Sequence, residues 1–144
     1  MKLLALLITL LFINVKAPEY LEAFHKATTK EQEEAFIIKY KRSNKTSVKA
    51  YVVSLKMKQA KYKFFPWKKL SVFNKGKKEL EQLIKEHPEN VDLRYVRLVI
   101  QENIPAILNY KSSITEDKEF LKRKLEEVDN SDYLDYYIKK NTSL

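Results

Sequence analysis

The chain has 144 residues and a formal net charge of +9, with 28 Lys or Arg against 19 Asp or Glu. It has no Cys and only two His, which excludes disulfides, thiolate metal sites and a cysteine nucleophile, and disfavours imidazole-based catalysis and zinc binding. One Gly and four Pro disfavour barrels, sandwiches and Gly-rich phosphate loops, so we expect an all-α protein without a cofactor or metal.

The N-terminus has the pattern of a secretory signal. Lys2 is followed by an apolar run from Leu3 to Ile13, which is too short for a comfortable membrane span. Small residues at Val15 and Ala17 predict cleavage after residue 17, which leaves a single helical domain, 18–144. Pro18 disfavours that cleavage, so an uncleaved N-terminal anchor is the alternative. Either way we expect an exported protein, periplasmic or attached to the cell envelope.

Helical periodicity and capping signals predict the elements in the first half of the chain. Two short helices are expected at about 19–28 and 30–42, with Thr29 and Gln32 forming a capping box between them. A long helix follows the polar turn 44–47. The next helix begins at Pro66, a position that tolerates proline, and continues to His87, where Pro88 stops it.

The second half opens with a strongly apolar helix capped by Asn90, which we place in the middle of the fold. Segment 103–113 is predicted to be a packed loop or a short helix. Ser113 and Glu116 form a second capping box, for a helix that carries Val128 on its inner face. Residues 131–140 form a last short helix. These elements predict five to seven antiparallel helices.

Two resemblances support this class of fold. The junction His87-Pro88-Glu89-Asn90, with Gly76, Leu80 and Leu83 before it, resembles the helix junction of tetratricopeptide repeats, although no clean 34-residue period recurs. This resemblance implies an array of α-α hairpins. The stretch 90–105, followed by Tyr110 and Asp117, resembles a family of uncharacterised secreted proteins of Bacteroidetes. That resemblance implies a helical periplasmic protein and no activity.

A long basic segment is the strongest compositional anomaly. Residues 35–78 contain fourteen Lys or Arg and no Asp or Glu, with aromatic residues between them. Such a surface suits nucleic acid, but an exported protein rarely meets nucleic acid, so we favour an anionic lipid or an envelope glycan. The alternative is a solvated face over an aromatic core. The candidate anionic-surface residues are Lys49, Lys56, Lys63, Lys68 and Lys69, of which the first three are predicted to form a solvated stripe.

A polar stripe on the central helix is the second candidate. Arg94, Arg97 and Gln101 share one side of an otherwise apolar helix, and buried guanidinium groups must be paired. In one interpretation Arg94 and Arg97 bind the carbonyl groups of the 103–113 loop and pair with an acid such as Asp117. In the other they form a pocket for a peptide carboxylate.

We expect a non-enzymatic module that binds a protein or peptide partner through a helical groove, with electrostatic attachment through 35–78 as the alternative. The candidate partner-binding residues are Arg94, Arg97, Gln101, Tyr62, Phe65 and Trp67.

Overall fold

A computed structural model describes residues 15–144, and all regular structure in this part of the chain is helical. Seven α-helices follow one another: α1 (Glu19–Lys26), α2 (Lys30–Tyr40), α3 (Thr46–Lys58), α4 (Pro66–Glu86), α5 (Val91–Asn103), α6 (Ile114–Glu126) and α7 (Asp135–Asn141). Three 3-10 segments lie between them, at Gln59–Tyr62, Ala106–Leu108 and Asp132–Leu134. The all-α prediction is confirmed, while the 3-10 segments take the number of helical pieces above five to seven. The tetratricopeptide-like arrangement stays a prediction.

The helix boundaries follow local capping chemistry. Thr29 and Gln32 form the predicted capping box, and the Asn90 side chain accepts a hydrogen bond from the backbone N–H of Leu93 at 3.0 Å.

The predicted capping box at Ser113 is wrong. Its side chain makes no cap, and its backbone N–H instead donates to Gln101 Oε1 at 3.2 Å. The prediction that Val128 faces inward is also wrong: its side chain is 94% exposed, because α6 ends at Glu126 before it.

The core lies around α3 and α5. Each of these helices is buried on more than one side: α3 packs against α2, α4 and α5, and α5 against α3, α4 and α6. The chain's one glycine allows the close approach of α3 and α4, because a Cβ at Gly76 would lie 2.2 Å from Met57 Cγ. The buried apolar cluster includes residues from Leu21 in α1 to Ile138 in α7, so the two ends of the described chain share one core.

The predicted signal peptide, 1–17, lies mostly outside the described residues and stays a prediction. Within 15–144 no helix combines the length and the apolar character needed to cross a membrane.

Candidate functional site

The connection between α3 and α4, together with the first residues of α4, exposes an unusual amount of apolar surface. We call this segment, residues 63–70, the aromatic turn. Four large apolar side chains in it are exposed: Phe64 by 88%, Trp67 by 65%, Leu70 by 48% and Phe65 by 41%. Phe65 and Trp67 stack with ring centroids 4.6 Å apart, and Phe64 meets Phe65 edge-on at 5.1 Å. The three rings contact one another, yet each keeps a large part of its surface exposed to solvent. A patch of this kind on a folded protein is typical of a binding surface.

The aromatic turn also carries three lysines. Lys63, Lys68 and Lys69 are all exposed, and Lys68 Nζ lies 5.7 Å from the centre of the Phe65 ring. The predicted stripe of Lys49, Lys56 and Lys63 is not continuous. Lys56 is half-buried and pairs with Glu79 at 3.1 Å, and Lys63 lies beyond the end of α3. Tyr62, the residue before the turn, is half-buried beneath Lys61.

The polar stripe of α5 lies inside the protein. Arg97 binds Asp117 of α6 through Nε and Nη2, both at 2.7 Å, and its Nη1 donates to Glu81 of α4 at 3.0 Å. Arg97 is 4% exposed and Asp117 is completely buried. Burial alone would lower the pKa of Arg97, but the hydrogen bonds and charge of Asp117, with the charge of Glu81, raise it. The arginine is therefore held in its charged form.

Arg94 shares the same carboxylate. Its Nε lies 2.6 Å from Asp117 Oδ1, without hydrogen-bond alignment, and its terminal nitrogens donate to the Pro88 carbonyl at 3.3 Å and to Glu116 at 2.9 Å. Its guanidinium also lies over the Phe120 ring, 4.6 Å from the centroid. The predicted pairing with Asp117 is confirmed. The loop carbonyls are not the partners; Gln101 accepts the Ser113 N–H instead.

A groove runs between α1, α3 and α5 and encloses about 570 Å³. We call it the α1–α3–α5 groove. Its walls are mainly apolar and contain no Asp or Glu, and its basic side chains are Lys58, Lys61 and His25. Lys58 and Lys61 both contact Oε1 of the buried Glu33, at 2.7 and 3.3 Å. Burial would raise the pKa of Glu33, but these two lysines outweigh burial and lower it.

The end of the groove near α7 is polar but uncharged. His25 stacks on Tyr137 at 4.3 Å, and its Nε2 lies 3.3 Å from the Tyr95 hydroxyl, which accepts a hydrogen bond from Asn141 at 3.1 Å. Burial, with a contribution from the charge of Lys140, lowers the pKa of His25 to about 4. The imidazole is therefore neutral at pH 7.

Sequence reasoning missed both the groove and Glu33. The groove walls come from helices far apart in the chain, and no local pattern joins them. Glu33 lies among charged residues in the sequence, which is typical of a surface position. The one signal of a buried acid is the later group Lys58, Gln59 and Lys61, whose side chains all contact Glu33.

Among residues 15–144 no group of three His, Asp or Glu side chains is arranged to hold a metal ion. Comparison with family models, curated proteins and solved structures gives no match. The resemblance to secreted proteins of Bacteroidetes therefore stays a prediction, as do the partner-binding roles of Arg94, Arg97 and Gln101.

The first prediction concerns the buried ion pairs. Replacing Arg97 by Ala should lower the free energy of unfolding by about 3 kcal/mol or more, because Asp117 and Glu81 lose hydrogen bonds and Asp117 stays buried. Replacing the exposed Lys122 by Ala should change it by no more than about 0.5 kcal/mol. Urea denaturation monitored by circular dichroism measures both, and equal losses would contradict the assignment.

The second prediction concerns pH. The folded pKa of His25, about 4, lies below its ordinary value of 6.5, so the unfolded chain takes up the proton first as pH falls. The contribution of neutral His25 to the free energy of unfolding is fully present above about pH 6.5 and is lost as the pH falls towards 4. Between pH 7 and pH 5 the free energy of unfolding should fall by up to about 2 kcal/mol from this cause.

Urea midpoints at pH 7 and pH 5 test this effect. The variant His25→Gln should lose most of the difference between them, whereas His87→Gln, at an exposed position, should retain it. An unchanged pH dependence in His25→Gln would show that other groups cause it.

Proposed function

We propose that this protein is a non-enzymatic binding protein of the cell envelope that docks on an anionic membrane surface through the aromatic turn. One observation carries the proposal. Phe64, Phe65 and Trp67 are exposed together in a segment, 35–78, whose charged side chains are all basic.

The chemistry of a bilayer surface suits this combination. Aromatic side chains, and Trp above all, settle at the boundary between headgroups and acyl chains, where the ring leaves water without losing polar contacts. Lysines near an anionic surface each add about 1 kcal/mol of attraction, which salt weakens. Lys63, Lys68 and Lys69 are exposed and belong to the same short segment as the rings, so we expect them to contact headgroups when the rings enter the interface.

A protein or peptide partner, the function that we expected first from the sequence, is supported less well by the geometry. Arg94 and Arg97 direct their donors to Asp117, Glu81 and Glu116. A partner's carboxylate would have to displace one of these acids. The aromatic turn could itself form a protein-binding hot spot, and the experiment below separates that alternative from a membrane.

The third prediction uses Trp67, which is the only tryptophan of the chain. With the full-length protein, vesicles of phosphatidylglycerol and phosphatidylcholine should shift its emission to shorter wavelength, because the indole leaves water. Vesicles of phosphatidylcholine alone should do so weakly, and high salt should reverse the shift. The triple variant Lys63→Gln, Lys68→Gln, Lys69→Gln should weaken vesicle affinity by roughly tenfold to 100-fold.

The matched control changes three exposed lysines elsewhere, Lys111, Lys122 and Lys139, to Gln, so that the net charge is the same as in the test variant. This control should bind nearly as well as the natural sequence. Equal weakening in both variants would show that overall charge, and not the aromatic turn, drives binding. Emission that no vesicle changes would overturn the membrane proposal and leave a protein partner as the interpretation.

A further inference from the structure

We propose that the α1–α3–α5 groove binds a single-chain amphiphile with an anionic head, of which a long-chain fatty acid is the simplest case. The acyl chain would lie along the apolar walls, and the carboxylate would lie at Lys61. This site is separate from the aromatic turn.

The groove has the size and lining of a ligand site. Cavities that bind small molecules enclose roughly 300–1,000 Å³ and are lined mainly by apolar side chains with a few polar groups. The α1–α3–α5 groove encloses about 570 Å³, and Leu55, Phe73 and Val96 are among its apolar walls. Val99 and Ile100, on the same side of α5, are only half-buried, so apolar surface remains for a ligand to cover.

The charge of the groove indicates an anionic head. Its walls carry two lysines and no carboxylate, and the nearby Glu33 neutralises one positive charge of the Lys58–Lys61 pair. One positive charge is left at the edge of an apolar cavity. Lys61 Nζ lies farther from Glu33 Oε1 than Lys58 Nζ does, at 3.3 Å against 2.7 Å, and the two side chains are similarly exposed, at 46% and 44%. Lys61 Nζ also lies over the Tyr62 ring, 4.6 Å from its centroid. We therefore place the incoming carboxylate at Lys61.

An acyl chain fits the walls better than a peptide does. A peptide brings backbone N–H and C=O groups, each of which needs a hydrogen-bond partner once it is buried. Apart from its lysines and the polar end near α7, the lining of the groove is mainly hydrocarbon, with Thr28, Ser54 and Asn103 as exceptions. A methylene chain needs no polar partner, and the neutral end at His25, Tyr95 and Asn141 sets no charge against it.

The groove wall and the aromatic turn are adjacent in the sequence. Ala60 and Lys61 belong to the groove wall, and the turn begins two residues later. A protein docked on a bilayer through the aromatic turn would therefore hold this part of the groove near the surface from which a single-chain lipid could enter.

The fourth prediction measures binding of decanoate, dodecanoate and tetradecanoate to the full-length protein by isothermal titration calorimetry, below their micellar concentrations. Each added methylene should tighten the Kd by about fourfold while room remains in the groove. Lys61→Gln should weaken dodecanoate binding by about fivefold and leave dodecanol binding unchanged. Lys111→Gln is the matched control and should affect neither.

A second variant tests the location. Ala60→Phe fills the groove from its wall and should abolish binding of dodecanoate and dodecanol, whereas Ala106→Phe, an exposed alanine outside the groove, should not. Dodecanoate binding that survives Ala60→Phe, or that Lys61→Gln weakens no more than Lys111→Gln does, would overturn the proposal. The triple lysine variant of the aromatic turn should bind dodecanoate normally, so this proposal and the membrane proposal can fail separately.

Discussion

The fold depends on one buried carboxylate. Asp117 receives two guanidinium groups from consecutive turns of α5, and this interaction allows a helix with two arginines to pass through the middle of the protein. Without it, Arg94 and Arg97 would be buried charges lacking a counterion, and α5 could not pack on α3, α4 and α6 at once. The same pairs join α6 to α5, and Glu81 extends them to α4. Since well-packed hydrophobic side chains often stabilise a fold as much as buried ion pairs do, we attribute to these pairs the choice of the α5 face that meets α6.

This internal pairing also shapes the protein's surface. The acids that follow residue 78 provide the partners of the two α5 arginines. Segment 35–78 has no acid of its own, and four of its lysines pair with Glu19, Glu33 and Glu79 from outside it. Lys63, Lys68 and Lys69, by contrast, are exposed within the aromatic turn. The aromatic turn is therefore a basic, aromatic surface that contains no acid. This combination is the physical basis of the proposed membrane contact.

The sequence predicted the elements whose causes are local. The caps at Thr29 and Asn90 use residues three positions apart, and the buried α5 stripe follows from helical spacing, so its pairing with Asp117 could be anticipated. Predictions from neighbouring residues failed where a residue distant in the sequence satisfied the hydrogen bond instead. Gln101 binds the Ser113 N–H and replaces the expected capping box. The groove, the buried Glu33 and the neutral His25 could not be predicted, because each depends on helices separated by many residues.

The proposed function requires that the aromatic turn enters the lipid interface. The most direct measurement is quenching of Trp67 emission in anionic vesicles whose acyl chains carry bromine at defined depths. Because bromine quenches only over short distances, the account predicts strong quenching by bromine near the headgroups and weaker quenching by bromine at the chain ends. Unquenched Trp67 emission from protein bound to the same vesicles would contradict the account, since the chain would then be attached through another part of its surface.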